Sequence, residues 1–284
     1  MKRQTKSVTW LYGGPRTGHH FAADLLSLVT PVCLVRNDTG GKFCDEKNMW
    51  QKPSDNHASW KIRETRPHPR NSFLSGTDIS VVSNLLETHD CLLLVESWSP
   101  EKVSEILSRM EQSKKYYSTT KEQKYCVIRN PKCVAASAVV TRAQNGSWQP
   151  RAFGRTVEAL KATLLAGHKA LDMVENHGWY PIFYDHLLGE DLYLTTDYAR
   201  KLLDKHANLL DYSLPANIDQ IYKNMQLNSS PNSSFKGNHT TNFRNRWEHP
   251  EIQNNEIFNA SIDLIEKLTE EVNDLMKRFT SCTF

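Results

Sequence analysis

Val8-Thr9-Trp10-Leu11-Tyr12-Gly13-Gly14-Pro15-Arg16-Thr17-Gly18-His19-His20-Phe21 decides the fold. Val8 to Tyr12 is an apolar, β-prone run. It ends in a glycine-rich turn, and Phe21, Leu25 and Leu28 then repeat at helical spacing. Strand, glycine turn and helix together make a cradle for a phosphate group. The glycines let backbone N–H groups converge on an anion. The helix start adds partial positive charge, and Arg16 adds a full one.

Gly13 and Gly18 stand as the glycines do in G-x-x-x-x-G-K-[ST], the nucleoside-triphosphate loop. His19 and His20 take the places of the lysine and the hydroxyl residue. Without that lysine and the Mg²⁺-holding hydroxyl, triphosphate hydrolysis is disfavoured, while anion binding is not.

Further along, residues 35–77 form a long polar excursion with Trp50, Trp60, Arg63, Arg66 and Arg70. An irregular stretch of that length is expected to be a substrate-pocket insertion. Residues 79–86 have the pattern of a short helix. Cys91 to Val95 has the unbroken apolar run of a strand buried on both faces. Ser99 and Pro100 follow as the expected N-cap and first residue of a helix carrying Val103, Ile106, Leu107 and Met110. Residues 114–124 read as a charged connection, and residues 125–129 as a short strand. Asn130 and Pro131 then open a helix that carries Ser137.

Residues 142–155 are expected to be a loop. Val157 to Val174 marks a long amphipathic helix stopped at Gly178. A strand over residues 181–184 and a helix over 197–210 come next. Residues 224–250, rich in Asn, Ser and Thr, read as a loop that covers a ligand. Phe258 to Phe279 closes the chain as an amphipathic helix. Strands alternating with helices imply a mostly parallel central sheet flanked by helices, a three-layer α/β domain. The whole chain, 1–284, is expected to be a single domain.

The 284 residues are 39% hydrophobic and 24% charged, ordinary values for a globular protein. A net charge of +3 does not call for a nucleic-acid partner, though it tolerates a polyanionic cofactor. No apolar run approaches the roughly 20 residues of a membrane helix. Six cysteines without a C-x-x-C pair read most simply as free thiols in a reducing cytoplasm. Asn-x-Ser/Thr sequons, the first at Asn37, point the other way but are expected by chance in an Asn/Ser-rich chain.

The glycine loop resembles the 5′-phosphosulfate loop of the sulfotransferases, x-P-[KR]-[ST]-G-[ST]-[ST]. Tyr125 to Ser137 resembles that family's Y-x-x-R-N-P-x-x-x-x-x-S segment. Phe183 to Leu188 is similar to its Y-E-D-L segment. Lys236-Gly237 and Arg246-Trp247 resemble, more loosely, its late K-G and W-[KR] loop. The resemblance implies a P-loop NTPase-like (sulfotransferase) fold. The implied cofactor is 3′-phosphoadenosine-5′-phosphosulfate (PAPS), with 3′,5′-ADP as product and no metal. Gly14, Pro15, Arg16, Thr17, Gly18, His19 and His20 would then hold the 5′ end. Arg129 and Ser137 would hold the 3′-phosphate, and Tyr184, Lys236 and Gly237 would complete the nucleotide site.

The expected acceptor is a small molecule bearing a hydroxyl or amine, enclosed by Trp60, Trp98, Trp148 and Phe153. Arg16 would neutralise the leaving phosphate oxygen. Two departures from the family pattern matter. The His19-His20 pair replaces two hydroxyl residues, and Trp98 stands where many relatives carry a basic histidine. The base is therefore open between Glu96 and His20, with His19 as a possible sulfuryl contact. A P-loop kinase is one alternative. A binding protein for nucleotides or sulfated glycans that lacks a base is another.

Overall fold

The computed structural model describes residues 6–26, 32–36, 91–96, 102–116, 121–142, 148–150, 152–187, 192–211, 213–214, 216–220, 222 and 246–281. Five parallel strands make the central sheet: β1 (Ser7–Tyr12), β2 (Val32–Arg36), β3 (Cys91–Glu96), β4 (Lys121–Ile128) and β7 (Tyr180–Phe183). Their spatial order is β2-β3-β1-β4-β7. The short strands β5 (Val140–Arg142) and β6 (Trp148–Pro150) form a separate antiparallel pair.

Period-2 alternation divides the strand side chains between two layers. Val8, Trp10, Tyr12, Leu92, Leu94, Cys126 and Ile128 face one side. There they pack on helices α2 (Val103–Ser113), α4 (Val157–His177) and α9 (Ile262–Ser281). Leu11, Leu93, Val95, Tyr125, Val127 and Ile182 face the other side, against α1 (His19–Leu26) and α6 (Leu192–Leu209). The three-layer α/β architecture expected from the sequence is the one observed. A third apolar cluster joins α3 (Pro131–Val139) to α4, α8 (Glu256–Asn259) and α9. The short helices α5 (Tyr184–Leu187) and α7 (Pro250–Gln253) complete the described elements.

The strand order places the site. From β1 the chain leaves toward β2, and from β4 it leaves toward β7, yet β1 and β4 are neighbours. The connections therefore diverge between these two strands, and a crevice opens at their carboxyl ends. Both the glycine loop and Arg129 start there.

Several local expectations need correction. Helix α2 begins at Val103 after an extended Lys102, so Ser99 and Pro100 are not its cap and first residue. Its start is closed by Glu105 Oε2, which accepts from the Lys102 amide. Residues 121–124 are strand, not a solvated connection, because Ser7–Trp10 pair with them and bury Gln123. Residues 142–155 are not one loop, since β5, β6 and a 3₁₀ turn at Ala152–Gly154 occupy much of the stretch. Val35 and Arg36 belong to β2, where the sequence reading began its polar excursion. The closing helical pattern divides into α8 and α9. The expected helix at 79–86, most of the 35–77 excursion and residues 224–245 lie outside the described residues.

Helix α4 follows its expected signals closely. Thr156 Oγ1 accepts from the Ala159 amide at 3.1 Å, and Gly178 ends the helix at φ +69°.

Near the start of β4 lies a buried polar group. Tyr125 donates its hydroxyl to Gln123 Oε1 at 2.7 Å, and both stand 3.4 Å from His206 Nδ1. His206 is fully buried, and burial pushes its pKa down to about 3. In the unfolded chain a histidine titrates near ~6.5. Between those values the unfolded chain binds a proton that the native protein refuses. Stability from this residue is thus fully present above about pH 6.5 and is lost as pH falls toward 3, with a slope approaching ~1.4 kcal/mol per pH unit. Urea unfolding at several pH values should show that His206→Gln removes this part of the acid sensitivity. An unchanged pH slope would contradict a neutral, buried His206.

Candidate functional site

The loop between β1 and α1 is set by backbone geometry. Arg16 adopts φ +69° and Gly18 φ +92°. Glycine tolerates the second value, whereas arginine pays strain for the first, and strain of this kind concentrates at functional sites. A Cβ on Gly18 would fall on the Tyr184 ring. A Cβ on Gly14 would meet the Gly167 backbone of α4 at 2.6 Å. The Gly14 carbonyl gathers the loop around itself. It accepts from the Thr17 amide at 3.2 Å and from the Thr17 hydroxyl at 2.7 Å. His19 Nδ1 is 3.3 Å from the same oxygen; since a carbonyl only accepts, that nitrogen carries the proton. His19 thereby braces the loop from a buried position.

Three of the expected anion ligands meet here. Arg16 donates from Nε at 3.0 Å and from Nη2 at 2.7 Å to Ser137 Oγ on α3. Arg129, the first residue beyond β4, donates from Nη1 to the Arg16 carbonyl at 2.9 Å. Two bonds from Arg16 fill the acceptor capacity of the Ser137 hydroxyl, so its proton is what it has left to offer. Helix α3 starts where expected: Asn130 Oδ1 accepts from the Lys132 amide at 2.9 Å, with Pro131 as the first helical residue.

Asp185, in α5, anchors the same corner. Its Oδ2 accepts from the Asn130 amide at 2.7 Å, and its Oδ1 stands 3.9 Å from Arg129 Nε. Tyr184 lies with its ring beneath the Arg129 guanidinium, 4.9 Å from centroid to carbon, and edge-on to Phe21. Burial works against the Arg129 charge. Its contacts with Cys133, Tyr184 and Asp185 outweigh that, so its pKa stays above the ordinary guanidinium value. Burial also pushes the Tyr184 phenol up, against the pull of Arg129 and Arg16. Two permanent cations and a set of hydrogen-bond donors thus face one crevice, an arrangement suited to a phosphate-bearing ligand.

The other expected site residues are placed less fully. Pro15 is buried within the loop. Glu96 ends β3 directly beside Tyr12, and His20 is the second residue of α1. The side chains of Glu96, His20 and Trp148 lie outside the described part. Phe153 sits in the 3₁₀ turn and is 36% exposed. Trp60, Trp98, Lys236 and Gly237 lie outside the described residues. Trp247 packs on the α3–α9 cluster.

Sequence reasoning missed the floor of the site. Ala166 and Gly167 of α4 support the loop, with the Ala166 carbonyl accepting from Tyr12 at 2.7 Å. The available signal was a glycine in mid-helix, which marks a close approach. Cys133 and Asp185, the neighbours of Arg129, were also absent from the expected site set. Among the described residues, no group of His, Cys, Asp or Glu could hold a metal ion, and no helix is long and apolar enough to cross a membrane.

No protein-family model matches the chain, and no curated protein matches it. Among solved structures, mouse sulfotransferase SULT7A1 complexed with PAP is similar at 13% sequence identity and a TM-score of 0.45. The match covers 93% of this chain and 83% of that one. At such values the reading of the site rests on its own residues.

The Gly18 geometry can be tested. Gly18 and Gly178 share positive φ, but nothing lies within 4 Å of a Cβ on Gly178. Gly178→Ala is expected to cost about 1 kcal/mol of stability. Gly18→Ala should cost roughly 2–3 kcal/mol or more, because the Tyr184 ring must also shift. Equal losses in urea unfolding would mean that Tyr184 is not seated on the loop.

Proposed function

We propose that the protein is a PAPS-dependent sulfotransferase acting on a hydroxyl or amine of a small molecule. The observation that carries this reading is the meeting of Arg16, Arg129 and Ser137 at the divergence point between β1 and β4. PAPS would supply an activated sulfuryl group and depart as 3′,5′-ADP.

In this reading the residues divide the work. The loop from Gly14 to His20 offers backbone N–H groups and the α1 N-terminus to the 5′ end. Arg16 places positive charge where the leaving phosphate oxygen develops its own negative charge. Arg129 and the Ser137 hydroxyl would hold the 3′-phosphate. Tyr184 keeps the Arg129 plane in place. From the resemblance alone, Lys236 and Gly237 would close over the nucleotide, and Trp60, Trp98, Trp148 and Phe153 would wall the acceptor. A base is needed to take the acceptor's proton during in-line displacement. Glu96 stands at the carboxyl edge of the sheet, one strand over from the loop. His20, the second residue of α1, is the other candidate.

Arg129→Ala is expected to weaken 3′,5′-ADP binding by about 1.5–3 kcal/mol, the worth of a charge-assisted contact. Affinity for ADP, which lacks the 3′-phosphate, should hardly change. Calorimetry showing equal loss for both nucleotides would refute the assignment.

For the base, Glu96→Gln should lower kcat at least about a hundredfold while nucleotide affinity stays within a few-fold. The acidic limb of the pH–rate profile should vanish with it. If His20→Asn removes that limb instead, His20 is the base. Near-normal kcat in both variants would exclude each of them. Labelled PAPS incubated with a metabolite extract should yield a sulfated product. Tight 3′,5′-ADP binding with no transfer to any acceptor would favour a binding protein.

A further inference from the structure

Tyr184 is the first residue beyond β7, and it is only 7% exposed. Two parts of the site rest on its ring. A Cβ on Gly18 would fall on Cδ2 and Cε2 of that ring, so the loop backbone at the start of α1 touches it directly. The Arg129 guanidinium carbon stands over the same ring, 4.9 Å from its centroid. Phe21, in the first turn of α1, meets the ring edge-on with centroids 6.0 Å apart. The ring is therefore seated on the glycine loop and its helix, and it carries the arginine.

A second link runs between the same two parts. Arg129 Nη1 donates to the Arg16 carbonyl at 2.9 Å. One hydrogen bond and one aromatic ring thus fix the guanidinium relative to the loop. An aromatic ring is a rigid body with few torsions, so it holds a distance that a flexible aliphatic chain would not. For Arg129 to shift, it has to leave both the π face and the carbonyl.

We propose that Tyr184 is the spacer that sets the separation of the two anion-binding parts, and that it thereby selects a nucleotide phosphorylated on the 3′ rather than the 2′ oxygen. The inference rests on the sulfotransferase reading, in which the loop takes the 5′ end and Arg129 the second phosphate. Moving that phosphate to the neighbouring ribose oxygen changes its distance and direction from the 5′ end. Anchors of fixed separation meet only one isomer at full strength, whereas movable anchors would accommodate either. Tyr184 is a positioning residue: it acts through Arg129 and Gly18, and its buried ring offers little surface to a ligand.

Calorimetry on the full chain with 3′,5′-ADP, 2′,5′-ADP and ADP tests this. Wild-type protein should bind 3′,5′-ADP at least about tenfold more tightly than 2′,5′-ADP. Tyr184→Phe keeps the ring and should keep that preference. Tyr184→Leu removes the rigid ring and should bring the two isomers close to equal affinity, with ADP affinity changed only a few-fold. In an Arg129→Ala background, Tyr184→Leu should leave the isomer ratio unaltered, because the ring acts through the arginine. Equal binding of the two isomers by wild-type protein overturns the proposal without any variant. So does an unchanged ratio in Tyr184→Leu, or a lost preference in Tyr184→Phe, which would make the hydroxyl a ligand contact. If the leucine variant fails to fold, the wild-type ratio and Tyr184→Phe decide. None of these outcomes refutes the sulfotransferase reading, which fails instead if wild-type protein does not prefer 3′,5′-ADP to ADP, and the spacer role then falls with it.

Discussion

Two guanidinium groups share one corner of the sheet, and the site depends on keeping them there. Arg16 and Arg129 repel each other, and Arg129 is largely withdrawn from water. Each opposing cost has a local answer. Arg16 spends its donors on Ser137. Arg129 sits on the π face of Tyr184, within range of Asp185, and bonds to a carbonyl of the other arginine's own residue. What remains is a concentration of positive potential that an anion of two or more charges would relieve. A site held ready in this way does not have to assemble its charges when a ligand arrives, so little binding energy goes into ordering it.

Close backbone packing makes the arrangement possible. Gly14 rests against Gly167 without side chains between them, so the loop lies directly on α4. The Tyr184 ring occupies the space over Gly18. The loop is thus clamped between the helix that follows β6 and the residue that follows β7, two segments far away in sequence. Its strained Arg16 conformation survives because these contacts leave few alternatives.

Much of this was legible in the sequence. The β1 run, the unbroken apolar β3, the Asn130-Pro131 helix start and the Gly178 stop each have a local physical cause, and each appears where that cause places it. The glycine turn marks Arg16 and a strand's carboxyl end marks Arg129, whereas Ser137 was selectable only through the resemblance of its segment to that of the sulfotransferases. The failures were tertiary. Lys121 to Lys124 looks solvated by composition, and only pairing with β1 makes it a strand. Ser99-Pro100 has the chemistry of a helix start, yet Lys102 is extended and the helix begins after it. Gly167, Cys133 and Asp185 matter through what they touch across the fold, and no local pattern announces such contacts.

The position of β1 at the centre of the sheet also has a consequence for biosynthesis. Ser7 pairs with Cys91 on one side and with Lys121 on the other. In the described sheet, β1 therefore waits for residues 91–96 and then 121–128 before both of its edges are paired. At ~5–20 residues per second, its backbone N–H and C=O groups wait many seconds for β3 and longer for β4. Such non-local pairing also slows folding, because long loops must close before any strand contact rewards them. The nascent chain thus carries Val8-Thr9-Trp10-Leu11-Tyr12 as an unpaired, aggregation-prone segment, and holding chaperones would be expected to engage it until β4 has emerged.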